Sequence, residues 1–172
     1  MGMFMASVAF QCADKEKLAK VTHFIRSTVT DVHGLVDNLN TNGPFYGVLN
    51  MFGDEESILS VLPERISAIT GAYAVFAVCI DSDCNLLSLY HDGKLLENSC
   101  TGLPYPEYEE MDKPSMELWL PLLQDPTKVE ELQHALYTFE VFAEDNLREL
   151  SVLTGLPILD DNMIGEYIES CM

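Results

Sequence analysis

The residues whose spacing most resembles a metal site are acidic and follow a short apolar run. Asp81, Asp83 and Asn85 are spaced as the first three ligands of a calcium-binding loop. The pattern then fails, because Leu86 stands where the sharp bend needs glycine and Asp92 stands where a bidentate glutamate is required. Aspartate side chains also accept backbone N–H groups in Asx-turns. The sequence therefore predicts an acidic turn between two strands and no calcium site.

Histidine, the other common metal ligand, is scattered along the chain. The four histidines are His23, His33, His91 and His134. None has a His or Cys partner two to four residues further on, so local spacing predicts no zinc site, while a site assembled from distant segments stays open. The sequence also has no G-x-S-x-G, no phosphate-binding glycine loop and no cysteine-protease signature. We therefore predict no catalytic residue, no metal and no cofactor.

Charge is the strongest compositional signal. The 172 residues include 9 basic and 28 acidic side chains, which gives a formal net charge of −19. Residues 97–172 hold 17 of the acidic residues and 3 of the basic ones. A field of this sign repels nucleic acid and steers cationic proteins toward the chain. We therefore predict a basic protein partner and no nucleic-acid binding.

The segment that begins at residue 105 combines this charge with aromatic side chains. Tyrosine, tryptophan and methionine are enriched in the cores of protein–protein interfaces and carry much of their binding energy. The predicted partner-binding residues are Tyr105, Glu107, Tyr108, Glu109, Glu110, Asp112 and Trp119. The alternative is a solvated loop whose aromatic rings pack back on the domain.

Cysteine usage and hydropathy predict the compartment. The chain has five cysteines and no C-x-x-C motif, a pattern that favours free thiols in a reducing cytosol. Residues 1–12 are apolar but lack the basic residues of a signal peptide. No apolar run reaches the 18 or more residues of a membrane span. We expect a cytoplasmic protein that does not contact membranes.

Strand-like and helix-like segments alternate over the first hundred residues. Runs of β-branched and aromatic residues predict strands at 4–10, 45–52 and 73–80. The run at 73–80 does not alternate with polar residues, which predicts burial on both faces. Asp92-Gly93 is a type I′ turn signal and predicts a hairpin between residues 86 and 97.

Capping residues predict where the helices begin and end. Asp14 is a candidate N-cap for the first helix, and Pro63 suits the first turn of a restarted second helix. Thr127 and Glu130 match a capping box. Apolar residues then keep helical spacing up to Gly155, which predicts one long helix from 129 to 154.

These elements predict an α/β or α+β fold. We expect a mixed or antiparallel sheet of about five strands with amphipathic helices packed on it, the hairpin at one edge, and an all-helical C-terminal part. A ferredoxin-like arrangement is an alternative. Residues 1–100 form a strand–helix–strand–helix–strand unit plus hairpin, 101–114 a proline-rich acidic loop, and 115–172 an acidic helical part on the same core, so the chain is predicted to be a single domain.

Several short motifs occur together in this chain. A strand ends in Asp81-Ser82-Asp83, the hairpin Leu89–Leu95 reads L-Y-x-x-G-K-L, Pro104-Tyr105 follows, and a later helix ends with Leu150–Leu156 as L-x-x-L-x-G-L. The combination resembles a loosely defined group of small, acidic, uncharacterised bacterial proteins. The resemblance implies an immunity-like protein, and it transfers no catalytic residue.

The charge and the aromatic acidic segment together predict the function. We expect a non-catalytic cytosolic binding protein that neutralises or chaperones a basic protein through its acidic C-terminal half, as immunity proteins and adaptors do. The first alternative is a homo-oligomeric regulatory or structural module, with a homodimer as its simplest form. The second alternative is an enzyme whose site is assembled from distant carboxylates and histidines.

Overall fold

Antiparallel pairing joins all the strands that the structure, a computed structural model, describes. The structure describes residues 2–29, 40–41, 43–51 and 57–165. The described strands form one sheet in the order β2-β3-β1-β4-β5-β6. They are β1 (Met5–Gln11), β2 (Asn40–Thr41), β3 (Phe45–Met51), β4 (Tyr73–Ile80), β5 (Cys84–His91) and β6 (Lys94–Gly102).

The helices are short, and most follow the sheet in the sequence. They are α1 (Lys15–Thr28), α2 (Leu62–Thr70), α3 (Met116–Trp119), α4 (Val129–Tyr137) and α5 (Ala143–Thr154), with 3₁₀ turns at Ile58–Val61, Pro106–Tyr108 and Leu120–Leu122. Residues 161–165 are also helical. None of the helices that the structure describes is long and apolar enough to cross a membrane.

The strand order places β1 at the centre of the sheet. Val8 of β1 lies opposite Val48 of β3 on one side and Phe76 of β4 on the other. α2 connects β3 to β4 across β1, and β4, β5 and β6 follow as a meander that ends at the sheet edge. This α+β architecture confirms the predicted sheet and its edge hairpin. The ferredoxin-like alternative agrees with this topology, because α1 lies between β1 and β2 in the chain and α2 between β3 and β4. The antiparallel order β2-β3-β1-β4 is that of a β-α-β-β-α-β unit, to which β5 and β6 add the edge hairpin.

Helices cover both faces of the sheet. One face of β1 carries Val8 and Phe10, which pack in a cluster with Ile66 of α2. The opposite face carries Met5, which packs in a second cluster with Leu147 of α5. Burial on both faces explains why the β4 sequence does not alternate between apolar and polar residues, as predicted.

Local signals in the sequence correctly located several element boundaries. The Asp14 side chain accepts hydrogen bonds from the backbone N–H groups of Glu16 and Lys17 and caps α1, and these bonds lower the pKa of its carboxyl. Pro63 lies in the first turn of α2, after a 3₁₀ turn. Gly93 follows Asp92 in the predicted hairpin turn, and both have positive φ angles, of 76° and 48°.

The predicted long helix from 129 to 154 is wrong, because the chain breaks at residues 138–142 into α4 and α5. Asn146 stabilises the break, since its Nδ2 donates to the carbonyl oxygens of Ala135 (3.0 Å) and Thr138 (2.9 Å). Phe139 kept the helical spacing but is 45% exposed between the two helices. Apolar spacing cannot distinguish one helix from two that share a buried face.

The predicted capping box is also not formed. Lys128, not Thr127, is the N-cap residue of α4, and its side chain makes no capping hydrogen bond. Thr127 instead donates from its backbone N–H (2.9 Å) and its hydroxyl (2.7 Å) to Asp125 Oδ1. An Asx-turn at Asp125 therefore takes the place of the box.

Candidate partner-binding surface

The turn between β4 and β5 is a point at which several distant segments meet. Ser82 donates its backbone N–H to the carbonyl oxygen of Met3 (3.1 Å), and the Met3 N–H donates to Ser82 Oγ (2.7 Å). The N–H of Ala143 donates to the carbonyl oxygen of Ser82 (2.8 Å). The N–H of Leu103 donates to the carbonyl oxygen of Asp83 (2.9 Å). The turn thereby fixes the segment before β1, the end of β6 and the start of α5 around one point.

A carboxylate is buried behind this turn. Glu144 lies in the first turn of α5 and is 8% exposed. Ser82 Oγ donates to its Oε1 (3.0 Å), and the Cys79 thiol donates to its Oε2 (3.8 Å). The described hydrogen bonds of Ser82 join Met3, Ala143 and Glu144, so this arrangement anchors α5 to the turn.

We expect the cysteines of the described ranges to resist thiol reagents in the native protein. Cys12, Cys79, Cys84 and Cys100 are free and buried. Burial, followed by the charge of Glu144, raises the pKa of Cys79 to about 12, so almost no reactive thiolate is present near neutral pH. In a Cys171→Ser background, a disulfide-exchange reagent should find no rapidly reacting thiol until urea exposes all four of the described cysteines.

The raised pKa of Cys79 also fixes the sign of a pH effect. A group whose pKa is raised by folding stabilises the fold below its ordinary value, here 9.0, and that contribution is lost as the pH rises toward about 12. Alkaline titration of the free energy of unfolding should therefore show a loss of stability in this window. For the labelling experiment with the disulfide-exchange reagent, rapid reaction of one or more of the four thiols in the native protein would contradict their burial.

Exposed apolar side chains surround the same turn. Leu103 is 57% exposed, Val141 79% and Phe142 53%. Val141 and Phe142 border a shallow depression of about 320 Å³ together with Asp81 and Asp83. We call Asp81, Asp83, Leu103, Val141 and Phe142 the turn surface. Exposed apolar patches with a polar rim mark sites of interaction with other proteins.

Tyr105 continues the turn surface toward the predicted partner segment. Its hydroxyl donates to Asp83 Oδ2 (3.2 Å). Partial burial, and then this hydrogen bond and the charge of Asp83, raise the pKa of Tyr105. Tyr108 is half-buried in a 3₁₀ turn, and its N–H donates to the carbonyl oxygen of Tyr105 (2.8 Å). Both tyrosines therefore pack partly on the domain and keep part of their surface in solvent.

The predicted acidic residues of the segment are all exposed. They are Glu107, Glu109, Glu110 and Asp112. No ion pair among the described residues involves any of these four carboxylates. The backbone of the segment is held in place, since the carbonyl oxygen of Asp112 accepts the N–H of Cys100 (2.9 Å). The segment is thus an ordered acidic loop that extends from the turn surface.

Trp119 is not a surface residue, and its predicted role in partner binding is wrong. The side chain is 0% exposed, and its Nε1 donates to Glu97 Oε2 (2.9 Å). Trp119 packs in the core cluster that holds the α4–α5 face against the sheet. A partner cannot reach this ring while the protein is folded, so Trp119 contributes to the stability of the fold and not to partner binding.

Comparisons with protein-family models, with curated proteins and with solved structures found no match to this chain. The resemblance to small acidic bacterial proteins therefore stays a prediction.

The histidines were the other candidate site residues. His23 borders a depression on α1 with Lys15 and Arg26, and the His91 ring packs at a tilt of 41° against Tyr73 with ring centroids 4.3 Å apart. His33 lies outside the described residues. Neither His23 nor His91 forms an ion pair with a carboxylate among the described residues, whereas His134 contacts two carboxylates.

Sequence reasoning missed the apolar part of the turn surface. The helical spacing places Val141 and Phe142 within one continuous helix, and the proline-rich composition places Leu103 in a loop. The available signal was the adjacency of two large apolar residues to a run of acidic ones, at a point where one helix could end. Only the tertiary structure brings Phe142 to Asp83, because the two are 59 residues apart in sequence.

Proposed function

We propose that this chain is a non-catalytic cytosolic binding protein that neutralises or chaperones a basic protein. The supporting observation is the juxtaposition of exposed apolar side chains on the turn surface with exposed carboxylates that have no basic partner in the described ranges. The partner would bury the apolar centre and neutralise the acidic loop at its edge.

The two parts of the surface make different contributions. Leu103, Val141 and Phe142 offer apolar area, whose burial supplies affinity. Glu107, Glu109 and Glu110 act over a longer range, because unpaired exposed charges steer an oppositely charged partner and speed association more than they change final affinity. An immunity-like or adaptor-like protein needs both properties, since it must capture a basic protein quickly and cover it.

The cysteines support the proposed compartment. The described cysteines are all free, although two of them, Cys84 and Cys100, lie on the adjacent strands β5 and β6. Free thiols persist in reducing compartments, and secreted proteins of similar size more often join theirs. We therefore place the proposed activity in the cytosol.

Charge reversal of the acidic loop tests the proposal. In the triple variant Glu107→Lys, Glu109→Lys and Glu110→Lys, association with the partner at low salt should slow about tenfold or more, because steering is lost. The partner is first recovered by tagged capture from the native host, and rates are then measured by surface plasmon resonance. Circular dichroism should show an unchanged fold, since all three side chains are exposed.

A matched control separates local steering from total charge. The control is the triple variant Glu16→Lys, Glu64→Lys and Glu130→Lys, which changes the net charge by the same amount as the loop variant. These exposed residues lie on helices away from the acidic loop. The control variant should associate much faster than the loop variant. Equal rates for the two triples, or a captured partner that is not basic, would refute the proposed surface.

A second candidate function, self-association, is supported by the basic residues on α1. Four of the nine basic residues lie on α1, namely Lys15, Lys17, Lys20 and Arg26, and all four are exposed. A basic helix and an acidic C-terminal half could pair head to tail between copies, as a homo-oligomeric module. Sedimentation at several protein and salt concentrations distinguishes it, because this self-association should rise with concentration and weaken with salt.

A further inference from the structure

Three metal-ligating side chains meet at the junction of α4 and α5, away from the turn surface. His134 lies on α4, Glu140 in the connection and Glu149 on α5. His134 Nε2 is 3.1 Å from Glu140 Oε1, and its Nδ1 is 3.1 Å from Glu149 Oε2. One ligand atom from each residue can be chosen so that all three lie within 4.8 Å of one another. We propose that these residues form a binding site for a divalent transition-metal ion such as Zn²⁺.

The charges at this junction favour a bound cation. A neutral imidazole has a single N–H, so it can donate to only one of the two carboxylates that face it. Among the described residues, the neighbouring cations are engaged elsewhere, since Lys128 pairs with Glu131 (3.8 Å) and Arg148 with Asp145 (2.8 Å). A divalent ion would neutralise Glu140 and Glu149 together in a chain whose net charge is −19.

The donor set selects the class of metal. One imidazole nitrogen with two carboxylate oxygens suits Zn²⁺ and similar first-row ions, whereas Ca²⁺ and Mg²⁺ prefer sites made of oxygen alone. Zinc–ligand bonds of about 2.0–2.2 Å place tetrahedral ligand atoms about 3.3 Å apart. Each 3.1 Å contact is close to that spacing, but the two use opposite ring nitrogens, so only one of them can be an edge of the coordination shell. The carboxylate that faces the other ring nitrogen must turn toward the ion, from ligand atoms that already lie within 4.8 Å of one another.

The exposure of the site leaves room for the ion and for water. The side chains of His134, Glu140 and Glu149 are 46%, 35% and 31% exposed, so the ligands are accessible without unfolding. Three protein ligands and one water complete a tetrahedral shell. Because the ligands come from both helices and their connection, a bound ion would fasten α4 to α5 and stabilise the native state.

Calorimetric titration of the full chain with ZnCl₂ tests the site, after EDTA treatment and without a polyhistidine tag. We expect one Zn²⁺ per chain and a rise in the melting temperature. His134→Ala should abolish binding, and Glu140→Gln and Glu149→Gln should each weaken it about tenfold or more. Glu131→Gln, on the same helix but paired with Lys128, is the control and should bind as the parent does.

Each outcome decides the proposal. All variants retain the buried cysteines, so loss of binding in His134→Ala assigns the ion to this site and not to thiols. Unchanged Zn²⁺ affinity in His134→Ala, or no heat and no melting shift in the parent at submillimolar Zn²⁺, would overturn it. Binding of Mg²⁺ as tight as that of Zn²⁺ would contradict the donor-set argument. The result is independent of the partner-binding test, which uses different residues.

Discussion

Replacing Trp119 with alanine is expected to lower the free energy of unfolding by about 3–5 kcal/mol. The ring is 0% exposed and packs in the cluster between the sheet and α4–α5, so its removal leaves a large cavity. It also leaves Glu97 Oε2 without the indole N–H that it accepts at 2.9 Å. Urea unfolding measures the change by far-ultraviolet circular dichroism, because Trp119 is the chain's single tryptophan and the variant loses that fluorescence signal.

Two further variants separate the packing of Trp119 from its hydrogen bond. Trp119→Phe keeps most of the apolar volume but removes the donor to Glu97, so it should cost less than the alanine variant. Leu120→Ala changes the next residue, which is 40% exposed, and should change stability only slightly. A loss below about 1 kcal/mol for Trp119→Ala would contradict the buried position and revive a role at the surface.

Gly102→Ala is expected to destabilise the fold by more than about 2 kcal/mol. Gly102 ends β6 with a φ of 88°, a conformation that residues with a Cβ avoid. A Cβ there would overlap the carbonyl oxygen of Asp83 and lie 3.1 Å from the Cα of Cys84. These neighbours are backbone atoms of β5 and its turn, so they cannot move aside as a side chain could.

Gly71→Ala is the matched control for this prediction. Gly71 also has a positive φ, of 67°, but nothing lies within 4 Å of the Cβ that would be added. Its substitution should cost about 1–2 kcal/mol from the backbone conformation alone. Chemical denaturation of both variants gives the comparison. Equal losses would mean that β6 does not approach the turn closely, and the turn surface would then lose the contact that positions Leu103.

Much of the fold could be predicted because its signals are local. The cap at Asp14, the hairpin turn at Asp92-Gly93 and the helix end at Gly155 each depend on backbone geometry within a few residues. The double-sided burial of β4 could be predicted from its unbroken apolar run. These features together locate most of the strands and the helices that cover them.

The candidate sites could be predicted only in part, because they depend on contacts between distant residues. The exposed acidic loop follows from composition, but the apolar residues beside it come from segments about 40 residues apart. Tryptophan is a residue type enriched at protein interfaces, and only the packed core shows that Trp119 is internal. His134, Glu140 and Glu149 have no helical spacing, and they meet only because the chain breaks between α4 and α5.

The central position of β1 bears on how the chain folds as it is synthesised. β1 leaves the ribosome before its partner strand β4, because Phe76 lies 68 residues beyond Val8. The strand Met5–Gln11 must therefore stay unpaired on one side while most of the first half of the sequence is made. Long-range pairing of this kind slows folding and leaves apolar strands open to aggregation. Nascent chains that end before β4 should thus depend on the ribosome surface or on chaperones until β4 emerges and pairs with β1.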